Sequence, residues 1–184
     1  AGSGGLVTAV SPVLKRTGGV WVGWDGDTRG GVPPEEMRKY AKQAGYALRS
    51  IPLTRELVSD YYWGFSNETL WPLFHDLLDR AQFSRRYWQA YCEANQKFAV
   101  AASRGAREGS LIWIHDYHLI LASKYLRQAR SRAKLAFFLH IPFPSADLFL
   151  RLPWRHEFID ALLLYDVIGF QTERDRRNFI QSVR

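Results

Sequence analysis

Residues 111–119 read Leu-Ile-Trp-Ile-His-Asp-Tyr-His-Leu, and residues 136–143 read Ala-Phe-Phe-Leu-His-Ile-Pro-Phe. Each opens on a short apolar run that stops at a histidine. Runs of about five apolar residues between polar ones mark strands buried in a parallel sheet. Working outward, further strands are expected at 20–24, 46–53 and 165–170. Helices are expected at 6–15, from Pro33-Pro34-Glu35-Glu36 to Ala44, and at 67–78, 85–102, 117–129, 154–163 and 173–182. Gly18-Gly19 and Gly45 supply helix stops, Asp25-Gly26-Asp27 a turn, and Thr54 a cap. Alternating strands and helices imply an α/β fold, a Rossmann-like parallel sheet with helices on both faces. In such sheets ligands bind beyond the carboxyl ends of the strands. His115, Asp116, His118 and His140 are therefore expected at one rim.

The composition is that of a globular protein. The chain has 184 residues, enough for one domain with a sizeable core. No apolar run approaches the roughly 20 residues of a membrane span, so no membrane partner is expected. The single cysteine, Cys92, excludes an internal disulfide and suits a reducing cytoplasm, the expected location. The net charge of +7 is scattered over Arg85-Arg86, Arg127 to Lys134 and Arg174 to Arg177. That pattern fits solvated helix faces better than a nucleic-acid surface, and no groove-reading motif accompanies it. No nucleic-acid partner is expected.

Four segments carry chemistry. Gly2-Ser3-Gly4-Gly5 ahead of a helix could cradle phosphate on free backbone N–H groups, or could be a plain flexible start. Tyr61-Tyr62-Trp63-Gly64-Phe65-Ser66-Asn67, with Leu70-Trp71-Pro72 after it, gathers aromatics around a turn. Their flat faces suit sugar rings, and equally suit packing under a loop. His115-Asp116-Tyr117-His118 allows hydrogen bonds to sugar hydroxyls, proton transfer, or metal ligation together with His140. A capped helix start with satisfied histidines fits the same letters. His140-Ile141-Pro142-Phe143-Pro144 ends a strand in a proline-stiffened loop that fixes His140 at the rim. Gln171 reaches the same rim, and Thr172 caps the last helix.

Taken in order, Gly4-Gly5-Leu6, Trp21-Val22-Gly23-Trp24, the segments 61–67 and 70–72, Trp113 to Leu119, Phe138 to Pro144 and Gly169-Phe170-Gln171-Thr172 closely resemble the N-terminal half of the trehalose-6-phosphate synthases. The resemblance covers nearly the whole chain. It implies one incomplete half of a two-domain GT-B fold, and glucosyl transfer with retention from UDP-glucose, or a related nucleotide-glucose, to glucose 6-phosphate. Gly4 and Gly5 would approach the donor through their backbone. Tyr62 and Asp116 would bind the acceptor. Trp71 and Ile141 would shape the acceptor pocket. His140 would contact the donor glucose as the residue nearest the chemistry, without serving as a general base. The donor phosphate takes the acceptor proton in similar retaining transferases, so the protein mainly positions substrates and stabilises charge. No cofactor and no metal is expected.

The family pattern has two parts that this sequence lacks. One is a first strand bearing a Ser-Asn-Arg segment whose arginine binds the acceptor phosphate. The other is the C-terminal nucleotide-binding domain. Residues 1–184 are thus expected to form the acceptor-side domain without its first strand, inactive alone and homo-oligomeric when full length. Rival readings are a glucosylglycerol-phosphate synthase, a noncatalytic subunit of a trehalose synthase complex, and, on charge alone, a nucleic-acid binder.

Overall fold

The computed structural model describes residues 5–28, 31–129 and 132–184. By its internal contacts the chain forms two compact units, Ala1–Arg55 and Glu56–Arg184.

The first unit is a strand–helix–strand crossover preceded by a helix. Helix α1 (Gly5–Thr17) ends at Gly18 and Gly19, both at positive φ, and β1 (Val20–Gly23) follows. Helix α2 (Pro34–Ala44) starts on Pro34 and carries Glu35 and Glu36 in its first turn, where the positive dipole end favours them. Gly45 closes it in the left-handed conformation, φ 80°, with its N–H on Ala41 O. Strand β2 (Ala47–Ser50) pairs parallel with β1, Val20 beside Ala47 and Gly23 beside Ser50. It is shorter than the 46–53 expected: its partner has four residues, and Pro52 lacks the N–H that pairing would need. At the carboxyl end of β1, Asp25 accepts the N–H of Asp27 at 2.9 Å, the N–H of Val32 at 3.1 Å and the hydroxyl of Ser50. Burial pushes its pKa up, but these donors outweigh that and hold it below the usual carboxylate value.

The second unit opens at Glu56, inside a continuous helical stretch: α3 (Arg55–Leu57), a π-wound segment (Val58–Leu70) and α4 (Trp71–Phe74). The aromatic segment 61–67, expected around a turn, is helical. Its wide pitch shows where Trp71 N–H donates to Ser66 O, five residues back. Pro72 falls at the start of α4, where a missing N–H costs little. A 3₁₀ turn (Leu78–Arg80) leads to α5 (Arg85–Ser103), capped by the Ser84 hydroxyl. Then come β3 (Leu111–His115), a 3₁₀ turn (Tyr117–Leu119), α6 (Ala122–Gln128), β4 (Lys134–Phe138), α7 (Ala146–Phe149), α8 (Arg155–Leu162), β5 (Val167–Gly169) and α9 (Glu173–Val183). The strands run parallel in the order β3-β4-β5, with Leu111 beside Lys134 and Phe138 beside Gly169.

Alternation along the strands puts Ile114, Leu135 and Phe137 on one buried face. Phe137 meets the ring of Tyr165 there, 5.1 Å between centroids. The core continues through Phe65, Trp88, Tyr91, Trp154 and Phe158, whose rings pack at 4.6–6.2 Å. A second cluster centres on Phe143, ringed by Phe74, Phe149, Phe170 and Phe179 at 5.2–6.0 Å. This is the parallel-sheet α/β class that the strand pattern implied. No helix among the described residues is long and apolar enough to cross a membrane.

Candidate functional site

The carboxyl ends of β3 and β4 build the site. Strand β3 terminates at His115, and Asp116 turns the chain with φ 72° and ψ 165°. That region is essentially reserved for glycine, so a non-glycine residue there stores strain of about 1–3 kcal/mol. Hydrogen bonds hold it: Asp116 N–H donates to Phe138 O at 2.8 Å. Its carboxylate oxygen Oδ1 accepts Tyr117 N–H at 3.0 Å and His140 N–H at 3.3 Å. One carboxylate thus ties the end of β3 to His140, two residues past β4.

His115 and His140 meet directly, with Nδ1 of one 3.0 Å from Nε2 of the other. Burial and the neighbouring His140 push the His115 pKa down to about 4. Burial likewise lowers His118, against the opposing pull of Asp116. The ring of Tyr62, from the π-wound helix, stacks on His118 at 5.3 Å and 13°. Tyr61 donates its hydroxyl to His118 O at 3.3 Å. Asn67 donates to Tyr62 O at 2.7 Å and accepts the Tyr117 hydroxyl at 3.0 Å, which locks the wide helix to the rim.

Two anchors come from later or distant elements, and of their residues only Gln171 lay in a segment that the sequence singled out. From α5, Tyr91 donates its hydroxyl to Tyr117 O at 2.6 Å and accepts Ile120 N–H at 3.2 Å, while Asn95 donates to His118 O at 3.1 Å. From α9 and its approach, Gln171 donates to His140 O at 2.6 Å, Asp175 accepts Phe143 N–H at 3.3 Å, and Asn178 donates to Phe143 O at 2.9 Å. The loop 140–143 is therefore held at both ends by side chains from one later element.

Chemically, the rim offers a fixed carboxylate, imidazole nitrogens and a stacked aromatic pair, the equipment for gripping a hydroxyl-rich molecule. No set of three or more His, Cys, Asp or Glu side chains among the described residues is placed to hold a metal ion.

The whole chain, residues 1–184, matches the model of Glycosyltransferase family 20. The chain belongs to that family. It is 44% identical over 181 residues to a trehalose-6-phosphate synthase of Mycolicibacterium gilvum, covering 98% of this chain and 36% of the relative. A Mycobacterium tuberculosis protein of the same name is 44% identical over 179 residues, covering 96% and 36%. Among solved structures, an alpha,alpha-trehalose-phosphate synthase (UDP-forming) from Burkholderia vietnamiensis superposes with TM-score 0.86 at 37% identity, covering 97% of this chain and 40% of that one. A Burkholderia xenovorans synthase in complex with glucose-6-phosphate gives 0.82 at 37%, covering 96% and 39%. A structure described as trehalose-6-phosphate from E. coli bound with UDP-2-fluoro glucose gives 0.86 at 34%, covering 99% and 40%. The chain spans little more than a third of the length of these curated relatives.

Within this family 20 chain the structure gathers Tyr62, His115, Asp116, His118 and His140 at one rim. Ile141 follows in the clamped loop, half-buried. Trp71 is 40% exposed and stacks on His75 at 4.1 Å, nine residues along the helix from Tyr62. Gly5 opens α1 in the other unit, and a Cβ there would meet nothing within 4 Å. Gly4 lies outside the described residues. The 61–71 aromatics divide in role: Phe65 is core, Trp63 is solvent-exposed, and Tyr62 lies between. Asp175 and Asn178 had one legible signal, the Thr172-x-x-Asp175 capping spacing, with Thr172 Oγ1 taking the Asp175 N–H at 3.2 Å.

Proposed function

We propose that this chain is the acceptor-side half of a GT-B enzyme that transfers glucose from UDP-glucose to glucose 6-phosphate with retention, yielding trehalose 6-phosphate. The observation that carries the reading is Asp116: a strained, immobilised carboxylate beside a stacked Tyr62–His118 pair at the carboxyl rim of a parallel sheet. Strain of this kind is maintained only where surrounding structure enforces it, and it concentrates at ligand-gripping sites. The family match and the related structures bound with glucose-6-phosphate and UDP-2-fluoro glucose support the same substrates.

In this reading Asp116 and Tyr62 grip acceptor hydroxyls, and Trp71 and Ile141 bound the acceptor pocket. Gly4 and Gly5 let the backbone approach the donor, and His140 contacts the donor glucose. The acceptor's anomeric hydroxyl attacks the donor C1, the C1–O bond to UDP breaks, and the acceptor proton passes to the departing phosphate oxygen. The chain's own contribution is orientation and desolvation, which can account for much of such a barrier. A second domain supplies the groups that neutralise the pyrophosphate, so residues 1–184 alone give no turnover, and the full protein works in the cytoplasm.

The test is steady-state kinetics of the full-length protein with UDP-glucose and a panel of sugar phosphates. Glucose 6-phosphate is expected to be the preferred acceptor, with Asp116→Asn lowering kcat/KM for it by at least about tenfold, as loss of one charged hydrogen bond would. Preference for glycerol 3-phosphate, or turnover by residues 1–184 alone, would overturn the proposal.

A further inference from the structure

His115 has no substrate contact in the reading above, yet it makes the direct ring contact to His140. Its Nδ1 lies 3.0 Å from His140 Nε2, its own Nε2 is buried without a hydrogen-bond partner, and the Trp113 ring packs against it at 4.5 Å. Two neutral imidazoles share one hydrogen across such a contact, so two arrangements exist. If His140 Nε2 carried the hydrogen, His115 Nδ1 would be the acceptor. Its Nε2 would then be an N–H sealed away from any acceptor. If His115 Nδ1 carries it, the buried Nε2 is only a bare lone pair. Orphaned buried N–H groups are the rarer fault in folded proteins. A doubly protonated His115 would bury both a charge and the same orphan N–H, and burial with His140 alongside opposes it.

We propose that His115 is a positioning residue: it donates Nδ1–H to His140 Nε2, and so fixes the rotamer and tautomer in which His140 offers only Nδ1–H to a ligand. The backbone completes the fixation, because His140 N–H is taken by Asp116 and His140 O by Gln171. A ring held at Nε2 and at both backbone groups has one free polar atom, and that atom is a donor. It would recognise an acceptor oxygen such as a sugar hydroxyl. With Nε2 engaged by an N–H, His140 has no free basic nitrogen to offer. This part rests on the reading that His140 contacts the donor sugar, whereas the effect of His115 on the His140 tautomer does not.

Long-range ¹H–¹⁵N correlation spectra at pH 7.5 read the tautomer directly. The wild-type chain is expected to show His140 protonated at Nδ1 and bare at Nε2. His115→Phe should shift His140 toward the Nε2–H form. His115→Asn, whose amide N–H sits close to where Nδ1–H was, should restore the wild-type pattern. A wild-type His140 carrying its hydrogen on Nε2 would sink the inference, and that spectrum needs no variant to fold. So would an unchanged His140 in folded His115→Phe. In the full-length protein, His115→Phe should raise KM for the nucleotide sugar about tenfold, the factor for one ordinary hydrogen bond, and His115→Asn should recover most of it. A tautomer switch without any KM change would leave the His115 relay standing and refute the sugar contact of His140.

Discussion

Replacing Asp116 separates backbone strain from hydrogen bonding at one position. Alanine and glycine both remove the carboxylate that accepts Tyr117 and His140 N–H groups. Two half-buried N–H groups losing such an acceptor cost roughly 2 kcal/mol together. Alanine keeps the strain of φ 72°, ψ 165°, about 1–3 kcal/mol, whereas glycine releases it. Glycine also loosens the unfolded chain, which returns about 0.4–1 kcal/mol of that gain. Asp116→Gly should therefore be more stable than Asp116→Ala by about 0.5–2 kcal/mol, or about 1–8 °C in Tm for a chain of this size. Asp116→Asn keeps an acceptor oxygen and should lie closest to wild type in stability. Urea unfolding followed by the fluorescence of the seven tryptophans measures all three at equal m. In the full-length protein the glycine variant should bind glucose 6-phosphate no better than the alanine variant, whatever stability it regains. An alanine variant as stable as the glycine one would mean that the backbone at Asp116 is not strained, and the argument from strain to ligand gripping would fall with it.

Two further outcomes follow from neighbouring geometry. A Cβ on Gly64 would lie 2.8 Å from three ring carbons of Tyr87, whose hydroxyl is tied to Glu68 Oε2 at 3.0 Å. Gly64→Ala should destabilise by about 1–2 kcal/mol, yet become neutral or stabilising by up to about 1 kcal/mol in a Tyr87→Ala background. Additive effects in that double-mutant cycle would contradict the packing. His115 sits at about 4 when folded, against 6.5 unperturbed. Between those values the unfolded chain binds a proton that the folded chain refuses, so stability falls as pH drops from 6.5 toward 4. The urea midpoint should decline from pH 7 to pH 5 more steeply in wild type than in His115→Phe, and equal slopes would show that His115 does not carry the effect.

Strand β3 was legible as a short apolar run bounded by polar residues, and 111–115 was matched residue for residue, although only its Ile114 face is buried and Leu111 and Trp113 lie exposed. The second apolar run leaves the strand at Phe138, two residues before the His140 expected to end it. Helix α2 announced both ends, with proline at the start and a left-handed glycine at the stop. The segment 58–70 misled for a physical reason. A π pitch aligns residues five apart, as with Tyr62 O and Asn67 Nδ2, so the 3.6-residue rhythm that marks a helix is lost, and Gly64 among aromatics reads as a turn. The helix expected at 117–129 begins as a 3₁₀ turn because Asp116 caps Tyr117 N–H from an extended left-handed backbone. Tyr91 and Asn95 support the rim across 23–29 residues of chain, and no local pattern reports a partner that distant.

The clamp on loop 140–143 also sets an order in time. Strands β3 and β4 can pair once residue 138 is free, but Gln171, Asp175 and Asn178 come later by up to 40 positions. At about 5–20 residues per second of synthesis, the nascent sheet waits about 2–8 s before its rim can be fastened. A nascent chain stalled inside that interval would carry a formed β3–β4 pair and an unsecured His140.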